Sequence, residues 1–397
     1  MDKIVFPNAK EKEAYSYTVQ WGKFALSDIG EHHFEGLDAI GLNYDLATST
    51  IQGIPSIPGD ADITLHYKLL DSDTEQLLTR PVHLFVNFDP RSLWTEQEPP
   101  LEAPYQKPHT DSVMDISGAK TMIAASKRGR SHAREGKFRD DDFDVMYRSD
   151  TGWYVIAVAD GAGSAKFSRE GSRIVCNTVV EHLSLSATGN KLDELEGLIA
   201  QLESNPDDAS RKAIGDTLYT TLGNAVLLAY KNIAKEAEAS QNQVKDYATT
   251  LLATVCRQYG DKWFIGAFWV GDGGVGIYKK GEAPKILGET DSGEYSGQTR
   301  FLTMQEIFEA ASFYKRIRFQ LVDHFDALVL MTDGITDAWF HTDANLFKAE
   351  KWDELFQEIQ KEVNLTRDNA NAHNQLLQWL DFWVKGEYDD RTIAILF

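Results

Sequence analysis

Aspartates stand at the ends of apolar runs in this sequence, at positions where carboxylates could hold metal ions. Residues 153–159 are uncharged and rich in β-branched and aromatic types, and they lead directly into Asp160 and Gly161. Such a run predicts a buried strand, and the glycine after it marks a turn that an ion can approach. Four further runs carry acidic ends: Asp140, Asp141 and Asp142 before 143–147, Asp272 after 263–270, Asp333 after 327–331, and Asp389 and Asp390 before 391–397. If these ends converge, they form a carboxylate-lined metal site.

A carboxylate cluster of this kind suits hard divalent cations. Mg²⁺ and Mn²⁺ prefer carboxylate, carbonyl and water oxygens, and the sequence contains no His/Cys cluster that competes with this assignment. Two such ions can supply a bridging hydroxide, neutralise phosphoryl oxygens and fix an in-line geometry. These are the requirements of phosphate-ester hydrolysis at neutral pH, so this is the chemistry that the pattern indicates.

Length and composition limit the classes of protein that need considering. A chain of 397 residues predicts two or three domains. The net charge of −21 argues against non-specific binding to nucleic acid and against an anionic membrane surface. Cys176 and Cys256 lie in apolar runs, which favours two buried thiols over a disulfide. Because no uncharged stretch reaches the roughly 20 residues needed to span a bilayer, we expect a soluble cytoplasmic protein.

The first quarter of the chain shows the pattern of a small β domain. Residues 1–14 are charged and predict a loose arm, whereas residues 15–97 hold short alternating segments separated by Gly, Pro, Asn and Asp. This pattern predicts a β-sandwich. Residues 41–68, with a Gly-Leu turn, a Thr-x-x-Ile-x-Gly-x-Pro-like segment and a Pro-Gly turn, resemble the Ig-like repeat of many bacterial proteins. The resemblance implies a module that binds a protein partner or acts as a spacer.

A second domain is expected after a proline-rich stretch. Residues 98–108 hold four of the eleven prolines, which predicts a stiff linker over 98–109 and a domain over 110–397. In that domain, strands mostly follow one another and helices come in blocks, which indicates an α+β fold with antiparallel sheets. Strands are predicted at 120–126, 143–147, 153–159, 249–258, 263–270, 275–279, 314–322, 327–332 and 391–397, and helices at 168–185, 191–203, 208–239, 351–362 and 367–384.

Residues 110–397 carry a series of short motifs in a fixed order. They are residues 129–136 through Asp141, residues 159–164 with Phe167, Ser168 and Gly171, and residues 249–253, 270–273, 293–299, 331–334 and 389–392. This order resembles that of the metal-dependent serine/threonine protein phosphatases of type 2C, in particular their bacterial branch. The resemblance implies a four-layer αββα sandwich with a dinuclear metal centre at one end of its two sheets.

The resemblance also implies a role for each acidic residue. Asp160 would bridge two Mn²⁺ or Mg²⁺ ions, the Gly161 carbonyl would bind one of them, and Asp141, Asp333 and Asp389 would complete the pair. The implied activity is hydrolysis of phosphoserine and phosphothreonine on proteins by a metal-activated water, without a phosphoenzyme. Further implied features are Asp140 acting through water, Asp272 at a third, weaker metal, and residues 293–299 in a mobile flap.

The residues themselves leave some of these assignments open. Asp140 or Asp142 could take the place of Asp141 by a shift of register, and Asp272 could belong to a hairpin turn. Asp390 fits a structural neighbour of the ligand better than a ligand.

Two departures from the family pattern affect the mechanism. Many members carry a histidine two residues after the bridging aspartate, where this chain has Ala162, so another group must protonate the leaving group; His132 is a candidate. Members also place an arginine before the first acidic pair to hold phosphate. Arg128, Arg130 and Arg134 are all nearby, and of these we favour Arg130 or Arg134 for this role.

Two rival hypotheses belong to other classes. Ala162 would also fit a pseudophosphatase, a binding module whose metal centre is structural, although a scaffold has no need for mutually repelling carboxylates. Alternatively, the Ig-like domain is the functional core and the phosphatase regulates it. The strong acidity suggests a basic partner or a basic peptide substrate.

Overall fold

The computed structural model of the protein describes residues 3–70, 77–89, 94–185, 191–288, 290–291 and 299–397. The chain divides into two compact units, Met1–Thr95 and Glu96–Phe397. Each unit encloses its own apolar core. The proline-rich residues 98–109 therefore fall within the second unit rather than between the two.

The first unit consists of two sheets around one core. One sheet has the order β1–β8–β7–β4, with β2 also paired to β8, and the other has the order β3–β6–β5. Alternate residues of β7, such as Ile63 and Leu65, point into the core. The strands are β1 Ile4–Val5, β2 Ala9–Lys10, β3 Tyr15–Thr18, β4 Ile29–Glu35, β5 Leu42–Asp45, β6 Thr50–Gly53, β7 Gly59–Leu69 and β8 Leu78–Asn87, with 3-10 turns at Trp21–Phe24 and Asp38–Ile40.

The loose arm predicted over residues 1–14 is wrong for the residues that the structure describes. Strands β1 and β2 pair in parallel with β8, and Ile4, Phe6 and Ala9 are buried in the core. Each strand is only two residues long, and Pro7, which lacks a backbone donor, stands between them. Such short pieces show too little alternation to be recognised from sequence.

The second unit combines two antiparallel sheets with two groups of helices. One sheet has the order β11–β12–β13–β14–β17 and the other β16–β15–β18–β19–β10–β9. The strands are β9 Thr110–Asp115, β10 Met122–Lys127, β11 Asp142–Arg148, β12 Trp153–Ala159, β13 Leu251–Tyr259, β14 Lys262–Val270, β15 Gly274–Tyr278, β16 Lys285–Ile286, β17 Ile317–Val322, β18 Ala327–Met331 and β19 Arg391–Leu396. The α-helices are α1 Arg130–Glu135, α2 Ser168–Ser184, α3 Leu195–Ser204, α4 Asp208–Ala239, α5 Ala310–Lys315, α6 Asp333–Phe340, α7 Ala349–Glu362 and α8 Ala372–Trp379.

The apolar residues of the strands sort into layers according to the face on which they lie. In β12, Trp153 and Val155 pack against α2, α3 and α4, whereas Tyr154 and Ile156 pack against the other sheet. The opposite faces of β10, β18 and β19 contact α6, α7 and α8. A strand buried on both faces has no polar side to show, which explains why these strands are continuous apolar runs. The layers follow in the order helix, sheet, sheet, helix, so the mixed α+β prediction is confirmed.

Several predicted details of the second unit need correction. Asp333–Phe340 form α6 and Arg130–Glu135 form α1, although no helix was predicted at either place. The linker predicted over 98–109 is packed on the second unit, where the Tyr105 hydroxyl donates to Glu236. Residues 293–298 of the predicted flap lie outside the described residues.

Two further expectations concern the cysteines and the membrane. Cys176 and Cys256 are buried free thiols, as predicted. Within the described ranges, every helix is too short or too polar to cross a bilayer.

Gly276 of β15 provides a test of the packing between a sheet and its outer helices. A Cβ atom there would lie 2.2 Å from the Trp352 ring, which is fully buried. We expect Gly276→Ala to lower the free energy of unfolding by about 1–3 kcal/mol, because the ring must move within a packed core. Chemical denaturation measures this change.

The matched control is Gly197→Ala on α3, where a Cβ atom would meet open space. This change should be neutral or stabilising by up to about 1 kcal/mol. Equal effects of the two substitutions would contradict the packing described for Trp352.

Candidate metal centre

Strand register brings the acidic strand ends to one end of the two sheets. In the first sheet, Asp142 at the start of β11 lies opposite Ala159 at the end of β12. The turn before β11 is therefore beside Asp160. In the second sheet, the Thr332 amide after β18 donates to Thr392 of β19. The residues that flank these strands consequently meet where the sheets face each other.

The carboxylates of Asp160, Asp272 and Asp333 form the centre of this cluster. Each offers an oxygen that lies within 4.8 Å of the other two, and all three residues are half-buried. Burial and the charge of Asp333 raise the pKa of Asp160 well above its ordinary value. Burial and then the charges of Asp272, Asp389 and Asp141 do the same for the pKa of Asp333. The five carboxyls are thus close enough to oppose one another's ionisation.

Asp141 lies at the buried side of the cluster and is 1% exposed. Burial, followed by the charge of Asp390, raises the pKa of Asp141 to about 7. Its Oδ2 accepts a hydrogen bond from the Thr332 hydroxyl at 2.8 Å. In the part of the chain that the structure describes, Asp141 Oδ1 and Asp272 Oδ1 are buried without a hydrogen-bond partner.

These unpartnered oxygens are what a bound cation would use. An unsatisfied buried carboxylate oxygen is costly unless a cation or donor reaches it. The donor set is all oxygen, which suits Mg²⁺, Mn²⁺ or Ca²⁺ rather than softer metals. The residues present therefore fit a hard divalent cation.

Neighbouring threonines fix the backbone of Asp160. Its amide donates to Thr250 Oγ1 at 2.8 Å, and its carbonyl accepts from the Thr249 hydroxyl at 2.9 Å. Gly161 continues this pairing through a bridge to Thr249. A Cβ atom on Gly161 would lie 2.6 Å from the Asp140 carbonyl oxygen, so only glycine allows this close approach.

Asp390 joins three separate segments and is 1% exposed. Its Oδ1 accepts from the Gly129 amide at 2.5 Å, and its Oδ2 accepts from the Asp140 amide at 2.5 Å and from His132 Nδ1 at 2.9 Å. Although burial opposes ionisation, His132 and the two amides lower the pKa of Asp390. Both oxygens are occupied, which agrees with a structural neighbour rather than a ligand.

His132 lies between Asp390 and the cluster. With Nδ1 directed to Asp390, its Nε2 lies 3.9 Å from Asp389 Oδ1 and 4.0 Å from Asp140 Oδ2. Burial alone would lower the pKa of His132, but Asp390 and then Asp140 and Asp389 raise it to about 10. Burial, followed by the charge of Asp390, raises the pKa of Asp140 to about 6.

Asp272 is not part of a hairpin. Its flanking strands β14 and β15 belong to different sheets, so residues 271–273 carry the chain from one sheet to the other. Gly271 has a φ of +117°, which favours glycine. The Thr299 hydroxyl donates to Asp272 Oδ2 at 2.5 Å. The hairpin alternative considered from sequence is therefore wrong.

Of the two arginines predicted to bind phosphate, one is engaged by another carboxylate and the other is exposed. Arg130 donates to the carboxylate and carbonyl of Asp381 and stacks on the Trp383 ring. Arg134 is exposed on α1. Ala162 is buried, and its amide donates to the Ala248 carbonyl.

Sequence reasoning missed the residues that hold the carboxylates in place. Thr250 and Thr332 lie inside motifs that were recognised, but only the aspartates of those motifs were assigned roles. The sequence signal that could have identified these threonines is their position, directly before an acidic strand end or opposite one.

Two face-to-face sheets that hold a partly buried cluster of carboxylates at one end define an α+β protein with a candidate site for divalent cations. The chain belongs to the protein phosphatase 2C family, because the model of that family matches residues 128–381, more than half of the chain. Metal dependence is characteristic of this family, and the acidic cluster is consistent with it.

A curated relative agrees with this assignment. Over 151 residues the chain is 27% identical to serine/threonine-protein phosphatase 3 of Escherichia coli (strain K12), a match that covers 38% of this chain and 49% of that protein. The chain thus spans about half the length of this curated relative.

A comparison with solved structures finds similarity to two bacterial proteins, among others. Serine/threonine phosphatase Stp1 of Staphylococcus aureus is 13% identical, with a TM-score of 0.38 and coverage of 76% of this chain and 96% of the other. PppA of Pseudomonas aeruginosa is 14% identical, with a TM-score of 0.39 and coverage of 73% and 97%. Because these values are low, the assignment rests on the family model.

The Asp390–His132 contact gives a testable pH dependence. In the metal-free protein, the folded-state pKa of His132 is raised from 6.5 to about 10. Its stabilising contribution is therefore complete below about pH 6.5 and is lost as the pH rises through about 10. We expect Asp390→Asn to move the imidazole titration, followed by NMR in chelator, down towards or below 6.5.

The control for this titration is Asp353→Asn, which removes a carboxylate that contacts Tyr278 instead. It should leave the His132 titration unchanged. A His132 pKa that stays near 10 in Asp390→Asn would contradict the assignment of Asp390 as its partner.

Proposed function

We propose that this protein is a metal-dependent phosphatase that removes phosphate from phosphoserine and phosphothreonine on proteins. The observation that carries the proposal is the convergence of Asp141, Asp160, Asp272, Asp333 and Asp389, two of which keep a buried oxygen without a partner among the described residues. Family membership supports the reaction class. Because the curated relative is matched over about half its length, the activity of the whole protein remains a proposal.

The metal ions that fit this site are Mn²⁺ or Mg²⁺. When bound, two such cations supply charge neutralisation for the phosphoryl oxygens and an activated water. In this proposal Asp141, Asp160, Asp333, Asp389 and the Gly161 carbonyl hold the pair. Asp272, fixed by the Thr299 hydroxyl, would serve a third, weaker ion.

His132 is the residue that we propose to donate a proton to the leaving group in place of the histidine missing at Ala162. Asp390 accepts from Nδ1, which fixes the ring and leaves Nε2 towards Asp140 and Asp389. A carboxylate that orients one ring nitrogen while the other serves as acid is a recurrent arrangement in general acid catalysis.

The phosphate-binding role of Arg130 or Arg134 stays a prediction. Since Arg130 is engaged by Asp381, it would have to exchange this partner for phosphate. Arg134 lies exposed on α1.

The substrate class follows from the family and the charge of the chain. Phosphoproteins are the substrates that family membership implies, and a net charge of −21 favours basic peptide sequences around the phosphorylated residue. For the first unit, its two sheets around one core are consistent with the proposed Ig-like module. Binding of a protein partner by this module is a separate part of the proposal. A cytoplasmic role in bacterial signalling is part of the same proposal.

Replacement of one proposed ligand tests the enzyme and the site together. We expect wild type to hydrolyse a phosphothreonine peptide with Mn²⁺ or Mg²⁺ and to lose turnover in chelator. Asp333→Asn should reduce turnover by about 100-fold or more, since loss of a ligand should cost at least as much as loss of an outer partner. Released phosphate is the measurement.

The matched control is Asp323→Asn, the same chemical change at a side chain that is 89% exposed. Its turnover should equal that of wild type. Mn²⁺ binding without any turnover by wild type would favour the pseudophosphatase hypothesis that Ala162 suggests.

The proposed role of His132 predicts a dependence on the leaving group. His132→Gln should slow hydrolysis of a phosphothreonine peptide by about 10²–10⁴-fold, the usual contribution of a general acid. It should slow p-nitrophenyl phosphate hydrolysis much less, because nitrophenolate leaves without a proton. Equal losses on both substrates at saturating metal would assign His132 to the structure of the site instead.

A further inference from the structure

We propose that Lys107, from the proline-rich segment before the second unit's sheets, is a positioning residue for the metal centre. It acts through Asp141 and Asp142 and sets the affinity of the site for divalent cations. The inference rests on the proposed metal centre, but its test is metal binding and not turnover.

The ammonium group of Lys107 is buried among acceptors from α2 and from the acidic run, which consists of Asp140, Asp141 and Asp142. Its side chain is 6% exposed. Nζ donates to the Asp141 carbonyl at 2.7 Å and the Arg169 carbonyl at 3.0 Å, and it lies 2.8 Å from Asp142 Oδ2 and 3.2 Å from Ser172 Oγ. An ammonium group has three protons, so these acceptors saturate it.

Side chains behind the acidic run hold its consecutive carbonyls. Lys107 donates to the carbonyl of Asp141, and the Ser172 hydroxyl donates to that of Asp140 at 2.5 Å. The Cys176 thiol lies 3.6 Å from the carbonyl of Asp142. Ser172 and Cys176 belong to α2, whereas Lys107 comes from a segment without a helix or strand. Lys107 is thus the only cation in this set of three.

Asp141 is consequently held at two points. Lys107 holds its backbone carbonyl, and Thr332 holds Oδ2. This leaves Oδ1, the buried oxygen without a partner among the described residues, in one orientation. Outer partners that orient a ligand typically contribute a factor of 10 to 100 to metal affinity.

Lys107 also compensates the negative charge of Asp142. Asp142 is buried next to two acidic residues, and an unpaired charge there would be costly. The ion pair with Lys107 keeps the charge of Asp142 compensated from the side of α2. Asp141, whose Oδ1 has no hydrogen-bond partner among the described residues, is then left for a cation.

The segment that carries Lys107 is anchored independently of the acidic run. The Tyr105 hydroxyl donates to Glu236 at 2.6 Å and contacts the Tyr247 hydroxyl at 2.9 Å. Arg169 donates to the carbonyls of Pro104 and Tyr105. Tyr105 has a φ of +57°, an uncommon conformation for a residue other than glycine that these contacts hold in place.

The test compares Mn²⁺ binding by full-length variants, measured by isothermal titration calorimetry. Lys107→Met keeps the length of the side chain but removes its donors and charge. We expect its Mn²⁺ dissociation constant to rise about 10- to 100-fold. At saturating Mn²⁺, the KM for a phosphothreonine peptide should stay unchanged, because Lys107 does not face the substrate.

The matched control is Tyr105→Phe, which loosens the same segment without touching the acidic run. Its Mn²⁺ affinity should remain within about twofold of wild type. If Lys107→Met does not fold, Lys107→Gln, which keeps a polar side chain but removes the charge, should weaken Mn²⁺ binding in the same direction.

Three outcomes separate this inference from the proposed function. Unchanged Mn²⁺ affinity in Lys107→Met, or in Lys107→Gln where that variant must replace it, overturns the positioning role. An equal loss in Tyr105→Phe also overturns it, because the effect would then come from the segment as a whole. Wild type that binds Mn²⁺ without turnover, while Lys107→Met binds it weakly, supports the positioning role and contradicts only the proposed activity.

Discussion

The mutual repulsion of carboxylates in a partly buried space is the constraint on which the second unit depends. Without a cation, burial and neighbouring charges raise the pKa of Asp160 and Asp333 well above the ordinary value. Anions in such a place gain nothing from one another, so the chain itself must hold them together. A bound divalent cation would reverse this balance and favour the ionised forms.

Hydrogen bonds that side chains make to the strand ends supply the holding force, and they do not involve the free carboxylate oxygens. Asp390 collects two amides and the His132 ring, and Thr250 and Thr332 bind Asp160 and Asp141. Glycines allow the segments to approach closely: a Cβ atom on Gly334 would lie 1.9 Å from the Asp390 carbonyl oxygen. The cluster is therefore a property of the loops, for which the sheets provide register.

The sequence predicted the elements and the acidic ends well because both signals are local. A strand buried on both faces is a continuous apolar run, as in residues 153–159, and an aspartate at its end is visible without any partner. What joins the ends was not predictable, because it depends on distant pairs. Lys107 and Asp142 are far apart in sequence, and a lysine among prolines looks like part of an exposed linker. Strands β1 and β2, within the charged residues 1–14, were likewise not predicted, because they depend on pairing with the distant strand β8.

The neighbours Asp389 and Asp390 show why adjacent identical residues can have opposite roles. They directly precede β19, where successive side chains point to opposite sides of the chain. The Asp390 side chain is 1% exposed and bonded at both oxygens, whereas the Asp389 side chain is 58% exposed and lies beside His132 Nε2. If the register of β19 shifted by one residue, the two aspartates would exchange positions. The carboxylate whose two oxygens are both hydrogen-bonded would then lie at the open site. The pairing of β19 with β10 and β18, which fixes that register, therefore decides which aspartate can bind a cation.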